Sequence, residues 1–85
     1  MKDVAFTPTA WAEFTSIVYN DKQMSKRILT LIKDIQRNPF EGIGKPEALK
    51  YQLQGYWSRR IDERNRLVYA VDDERIVIVQ CMEHY

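Results

Sequence analysis

The sequence predicts an α+β fold in the order β-α-α-β-β-β-β. Two N-terminal helices pack on one face of a mostly antiparallel, twisted sheet. Three observations lead there. Apolar residues recur twice at helical spacing before Asn38. After Pro39 the pattern changes to short runs rich in β-branched and aromatic residues. Helices segregated from a run of strands cover one face of an antiparallel sheet rather than alternating with parallel strands.

The elements follow in order. "DVAF" alternates weakly and is a candidate first strand. In "TPTAWAEFTSIVYN", Thr7 can cap a helix and Pro8 can take its first position, where a missing N–H costs nothing. Ala10, Trp11, Phe14, Ile17 and Val18 then recur at helical spacing, and the stripe Trp11, Phe14 and Val18 reads as core. A break near Asn20-Asp21 leads to a second helix with Met24, Ile28, Leu31, Ile32 and Ile35 on one face. Asn38-Pro39 stops it, because the residue before proline is pushed out of helical geometry. Two helices this close in sequence are expected to form an antiparallel hairpin. "PFEGIGKPE", Pro39 to Glu47, is loop. "ALKYQL" is a candidate strand, and "YWSRRID", "RLVYAVD" and "RIVIVQCM" are stronger ones, with separators short enough for hairpins.

With 85 residues the chain suits one domain, residues 1–85. Its 45% hydrophobic and 29% charged residues are ordinary globular values and exclude whole-chain disorder. A single Cys excludes an internal disulfide framework and fits a reducing compartment. "MKDVAFTPTAW" has no apolar run behind its lysine, and the longest apolar stretch, "LVYAV", is too short to span a bilayer. The expected location is the cytoplasm, with no membrane partner.

The net charge is +1, but it is uneven. Residues 45–66 hold Lys45, Lys50, Arg59, Arg60, Arg64 and Arg66 against three acidic groups, a local +3, while residues 67–85 carry −3. Local positive charge can hold a phosphate backbone even where the total is near neutral.

Several chemistries drop out. A closed zinc site needs clustered Cys and His, and there is one of each. "GIGKP" fails as a phosphate loop: Pro39 stands where the first glycine is required, and Pro46 where a Ser or Thr is. No nucleophile-elbow motif is present. Acid–base chemistry on a charged substrate remains. Its candidates are Glu47, Arg66 and His84, with Lys50, Arg59, Arg60 and Tyr85 beside them.

Strand parity sorts these residues. Leu67, Tyr69 and Val71 share one face, and Arg66, Val68 and Ala70 the other. If the larger apolar set meets the helices, Arg66 faces the open side. Trp57 and Ile61 suit the core, which sends Arg60 outward. Arg59 has the parity of Trp57, so it either reaches solvent at an edge or the strand bulges. The hairpin joining the last two strands returns the chain end toward the start of "RLVYAVD", so His84 is expected near Arg66. Tyr51 and Tyr56 could stack on bases.

The run "NPFEGIGKPEALKYQLQGYWSRRIDERNRLVYAV" and the terminal "HY" closely resemble the YoeB-type toxins of bacterial toxin–antitoxin systems, within the RelE/ParE superfamily. The resemblance extends along essentially the whole chain and implies a RelE-like fold. It also implies a ribosome-dependent endoribonuclease that cuts mRNA in the ribosomal A site and is neutralised by a YefM-type antitoxin. DNA is involved only through that antitoxin, and a homodimer accords with the family. By the same resemblance Glu47 is the general base, Arg66 the phosphate-stabilising cation, His84 the general acid and Tyr85 its support. Lys45, Lys50, Arg59 and Arg60 fall on basic positions near RNA. No metal or other cofactor is implied. Ile43, Asn65, Met82 and Glu83 depart from residues common in the family, and none belongs to the catalytic set. Within the same fold a ParE-like gyrase inhibitor is the alternative, and a non-catalytic RNA- or ribosome-binding module is the other.

Overall fold

The structure, a computed structural model, describes residues 1–82. Strand β1 (Asp3–Phe6) leads into helices α1 (Pro8–Asn20) and α2 (Lys22–Arg37). Strands β2 (Glu47–Ala48), β3 (Tyr56–Arg60), β4 (Arg66–Val71) and β5 (Arg75–Gln80) follow. The strand order is β1-β5-β4-β3-β2; β1 runs parallel to β5, and the other pairs are antiparallel. No described helix is long and apolar enough to cross a membrane.

The helix signals act as the sequence suggests. Thr7 Oγ1 accepts from the Ala10 N–H at 3.1 Å, with Pro8 at the first helical position. Asp21 serves both helices. Its own N–H closes α1 on the Ile17 carbonyl, and its carboxylate caps α2 by accepting from the Met24 N–H. One residue therefore turns the chain between helices. Asn38 is extended, as a residue before proline must be, and α2 ends there.

Ala10, Phe14 and Ile17 of α1 and Ile28, Leu31, Ile32 and Ile35 of α2 bury against Leu67, Tyr69, Ile76 and Ile78 of the sheet. Each of the Leu, Ile and Phe side chains contributes about 1.5–3 kcal/mol on leaving water.

Four expectations need correcting. Trp11 and Val18 are not core: they are 53% and 40% exposed. Successive helical positions differ by about 100°, so the stripe Ala10, Phe14 and Ile17 faces inward and its neighbours fall on the shoulder. Trp11 instead packs its ring edge against Phe6. The strand expected at "ALKYQL" is shorter and starts earlier. It covers Glu47–Ala48, and Tyr51–Leu53 form a 3₁₀ turn that begins with Tyr51 in the left-handed region. Glu47 is thus a strand residue rather than the end of a loop. Cys81 is fully buried but lies just past β5, its N–H donated to Glu13.

The fourth concerns Arg59. It has no solvent exposure, so it is not an RNA contact. Neither an edge nor a bulge releases it. It points into the helix-facing side, as its parity requires, and the protein supplies its partners.

Candidate active site

The loop between α2 and β2 is built around Arg59. Its Nη1 donates to Asp34 Oδ2 at 2.5 Å and to the Ile43 carbonyl, and its Nη2 donates to the carbonyls of Asn38 and Glu41. Its Nε donates to the Tyr69 hydroxyl, which in turn donates to the Pro39 carbonyl at 2.7 Å. All five guanidinium N–H groups can be met by these acceptors. Asp34 also accepts from the Ile43 N–H. The Arg59 hydrogen bond, followed by that N–H, holds the Asp34 carboxyl below its ordinary range. Burial pushes the Tyr69 hydroxyl up, and its bond from Arg59 opposes this.

Beyond the clamp, the Gly44 carbonyl accepts from the Arg60 N–H at 2.6 Å. Gly44 and Lys45 both take positive φ, 80° and 51°. A lysine there is strained, and the turn it completes aims the next residues along β3. Glu47 then pairs with Ser58 and Ala48 with Trp57.

This places Glu47 on the face of the sheet that the helices do not cover. The register continues from Glu47 to Ser58, Val68 and Gln80, one row across four strands. Gln80 rather than Val79 meets Val68 because the β4–β5 pairing slips there by one residue. Beside the row, Arg66 Nη1 lies 4.0 Å from Glu47 Oε1, with the Arg66 side chain 24% exposed and that of Glu47 60%. Arg60 and Arg66 are direct cross-strand partners. Like charges set opposite each other repel, so this pair costs stability and makes a ready seat for an anion.

Of the residues singled out in the sequence, Glu47 and Arg66 come together, and Arg60 lies across the strand pair from Arg66. Lys45 and Lys50 are exposed on the segment flanking Glu47. Arg59 stands apart, buried beneath the loop. His84 and Tyr85 lie outside the described residues. A cavity of about 420 Å³ adjoins the site, lined by Glu47, Ala48, Leu49, Lys50, Tyr51 and Leu53, with Tyr51 90% exposed at its rim.

Two residues escaped the sequence reading. Asp34 had a signal: an acid in the last turn of a helix opposes the helix dipole and calls for a cation elsewhere. Ser58 had a weaker one, a small polar side chain at the parity of Arg60 in the middle of a strand.

The sequence profile for the YoeB-like toxin of bacterial type II toxin-antitoxin systems matches residues 6–85. The chain belongs to the YoeB toxin family. Toxin YoeB of Synechocystis sp. is 51% identical over 82 residues, which cover 96% of this chain and 95% of that protein. The solved YoeB/ParE toxin from Agrobacterium tumefaciens superposes with a TM-score of 0.95 at 40% identity, covering 100% of both chains. The YoeB of Staphylococcus aureus, solved as a dimer, gives 0.92 at 49% identity over 99% of this chain and 98% of that one. The same toxin in a heterotetrameric YoeB–YefM complex gives 0.91 at 49% identity over 100% and 99%. The α+β architecture is that of YoeB toxins.

Proposed function

We propose that this chain is a toxin that cleaves mRNA in the ribosomal A site by acid–base catalysis and so stops translation. The observation that carries the reading is the open-face cluster: a carboxylate 4.0 Å from one arginine, with a second arginine directly across the strand pair. In a YoeB-family chain this is the machinery for a substrate that is anionic and holds its own nucleophile.

RNA is such a substrate. Ionised Glu47 takes the proton of the 2′-OH as that oxygen attacks the adjacent phosphorus. Arg66, aided by Arg60, neutralises the charge that builds on the phosphoryl oxygens. His84, protonated, gives a proton to the departing 5′-oxygen, and Tyr85 supports it. The products are a 5′-OH and a 2′,3′-cyclic phosphate, which addition of water opens to a 3′-phosphate. The steps need no cofactor, since each proton has a donor and an acceptor in this set. Lys45 and Lys50 flank Glu47 and suit the neighbouring phosphates.

The family also supplies the partners. A YefM-type antitoxin neutralises the toxin, a pairing supported by the YoeB–YefM complex of Staphylococcus aureus. A homodimer is the corresponding expectation from the dimer of that toxin. The protein acts in the cytoplasm on ribosome-bound mRNA, and DNA enters only through the antitoxin.

A defined mRNA in a translation extract tests the reading. The protein is expected to produce discrete cuts in ribosome-bound mRNA, and His84→Ala to slow them by about 10²–10⁴-fold. Intact mRNA with gyrase-linked DNA breaks would establish the ParE-like alternative instead. Toxicity unchanged by His84→Ala would establish a non-catalytic binding module.

A further inference from the structure

A buried hydroxyl lies beside Glu47, and the chemistry above does not use it. Ser58 sits in the middle of β3 with no solvent exposure. Its Oγ finds no hydrogen-bond partner among the described residues. A buried hydroxyl without a partner is costly, because it has given up its hydrogen bonds to water. Alanine would fill nearly the same space without that cost. An unpartnered serine here therefore calls for a reason.

Its position offers one. The register sets Ser58 directly opposite Glu47 on β2 and Val68 on β4. Directly opposed side chains share a face, with Cβ atoms roughly 4.5–5.5 Å apart. The Glu47 side chain is 60% exposed, and its carboxylate stands 4.0 Å from Arg66. A hydroxyl hydrogen rotates freely and can donate to a carboxylate that comes within reach.

We propose that Ser58 is a positioning residue for Glu47. When an RNA phosphate engages Arg66, the Glu47 carboxylate turns over β3 and accepts the Ser58 hydroxyl hydrogen. That bond keeps the carboxylate ionised and aims it at the 2′-OH. The hydrogen bond unmet in the free protein is met in the reactive state. This inference rests on the RNA-cleavage reading and deepens it, by naming the group that holds the base.

Ser58→Ala and Ser58→Thr, with three readouts, test it: resistance to denaturant, single-turnover cleavage of a defined mRNA on programmed ribosomes, and the pH dependence of that cleavage. Ser58→Ala is expected to be as stable as the parent or more so, yet to cleave about 10–100-fold more slowly, the worth of a hydrogen bond to a charged group. Its acidic limb should move to higher pH, because loss of a donor raises the pKa of a carboxylate. Arg66 of β4 stands 4.0 Å from Glu47, Lys50 lines the same cavity, and Arg60 and Tyr56 of β3 share its face of the sheet by register. They are common to both proteins, so the shift reads the hydroxyl. Ser58→Thr keeps the donor and should restore the limb. An Ser58→Ala protein with unchanged rate and limb would overturn the proposal. So would a rate loss matched by lost stability with the limb unmoved, which would mark a merely structural role. A parent protein that cuts no mRNA would instead bring down the functional reading itself.

Discussion

Arg59 shows how a single residue can be misplaced by charge and correctly placed by parity. Alternation put it on the helix-facing side, and its charge argued for an exit to solvent. The protein keeps the parity and brings Asp34, Tyr69 and three loop carbonyls to the cation. Burying a charge is tolerable only with such partners, and removing one leaves the other stranded. Asp34→Ala is therefore expected to lose about 3–5 kcal/mol in denaturant unfolding at neutral pH. The pH dependence has a definite sign. Asp34 titrates lower in the folded chain than in the unfolded one, so its stabilisation is complete above the ordinary carboxylate range. It disappears as pH falls through the folded value. Asp72, held down by the Glu74 and Arg75 N–H groups, adds to the same acid-side loss. Asp34→Ala should consequently lose stability less steeply with acid than the parent, and equal slopes would contradict the assignment. Cys81 is the opposite case. Burial, then Glu13, pushes its thiol up to about 12, which leaves it a packing residue rather than a nucleophile.

At the scale of elements, the segments with strong local signals were legible. Caps, proline and apolar period marked both helices, and β-branched runs marked β3, β4 and β5, because those signals lie within a few residues of one another. The segment from Pro39 to Leu53 was less so. Its shape depends on Asp34 and Arg59, 25 residues apart, and on backbone strain at Lys45 and Tyr51 that composition does not announce. Parity was enough to put Arg66 beside the open face and to send Arg60 there. It could not show that Glu47 joins them, since β2 is only two residues long and has no period to read. Gly42 tests the rigidity of this loop. It takes φ of 133°, and a Cβ there would collide with Asp34 Oδ2, which Arg59 and the Ile43 N–H hold in place. Gly42→Ala is expected to cost about 1–3 kcal/mol in denaturant unfolding, as overpacked sites do. A neutral result would mean the clamp yields.

Across the whole molecule, the helices cover one face of the sheet, and Glu47, Arg60 and Arg66 lie on the other. The basic stretch of residues 45–66 folds so that Arg66 stands 4.0 Å from Glu47, Lys50 lines the same cavity and Arg60 pairs with Arg66 across the strands, while Arg59 serves the scaffold beneath. A net charge of +1 thus conceals a local excess of positive charge. As the proposed base on that face, Glu47 is probed by Glu47→Gln with almost no change of shape. On programmed ribosomes with a defined mRNA, the variant should keep the parent's resistance to denaturant to within about 0.5 kcal/mol, as surface substitutions do. Its cleavage should fall by about 10²–10⁴-fold. Cleavage by Glu47→Gln at the parental rate would contradict the account.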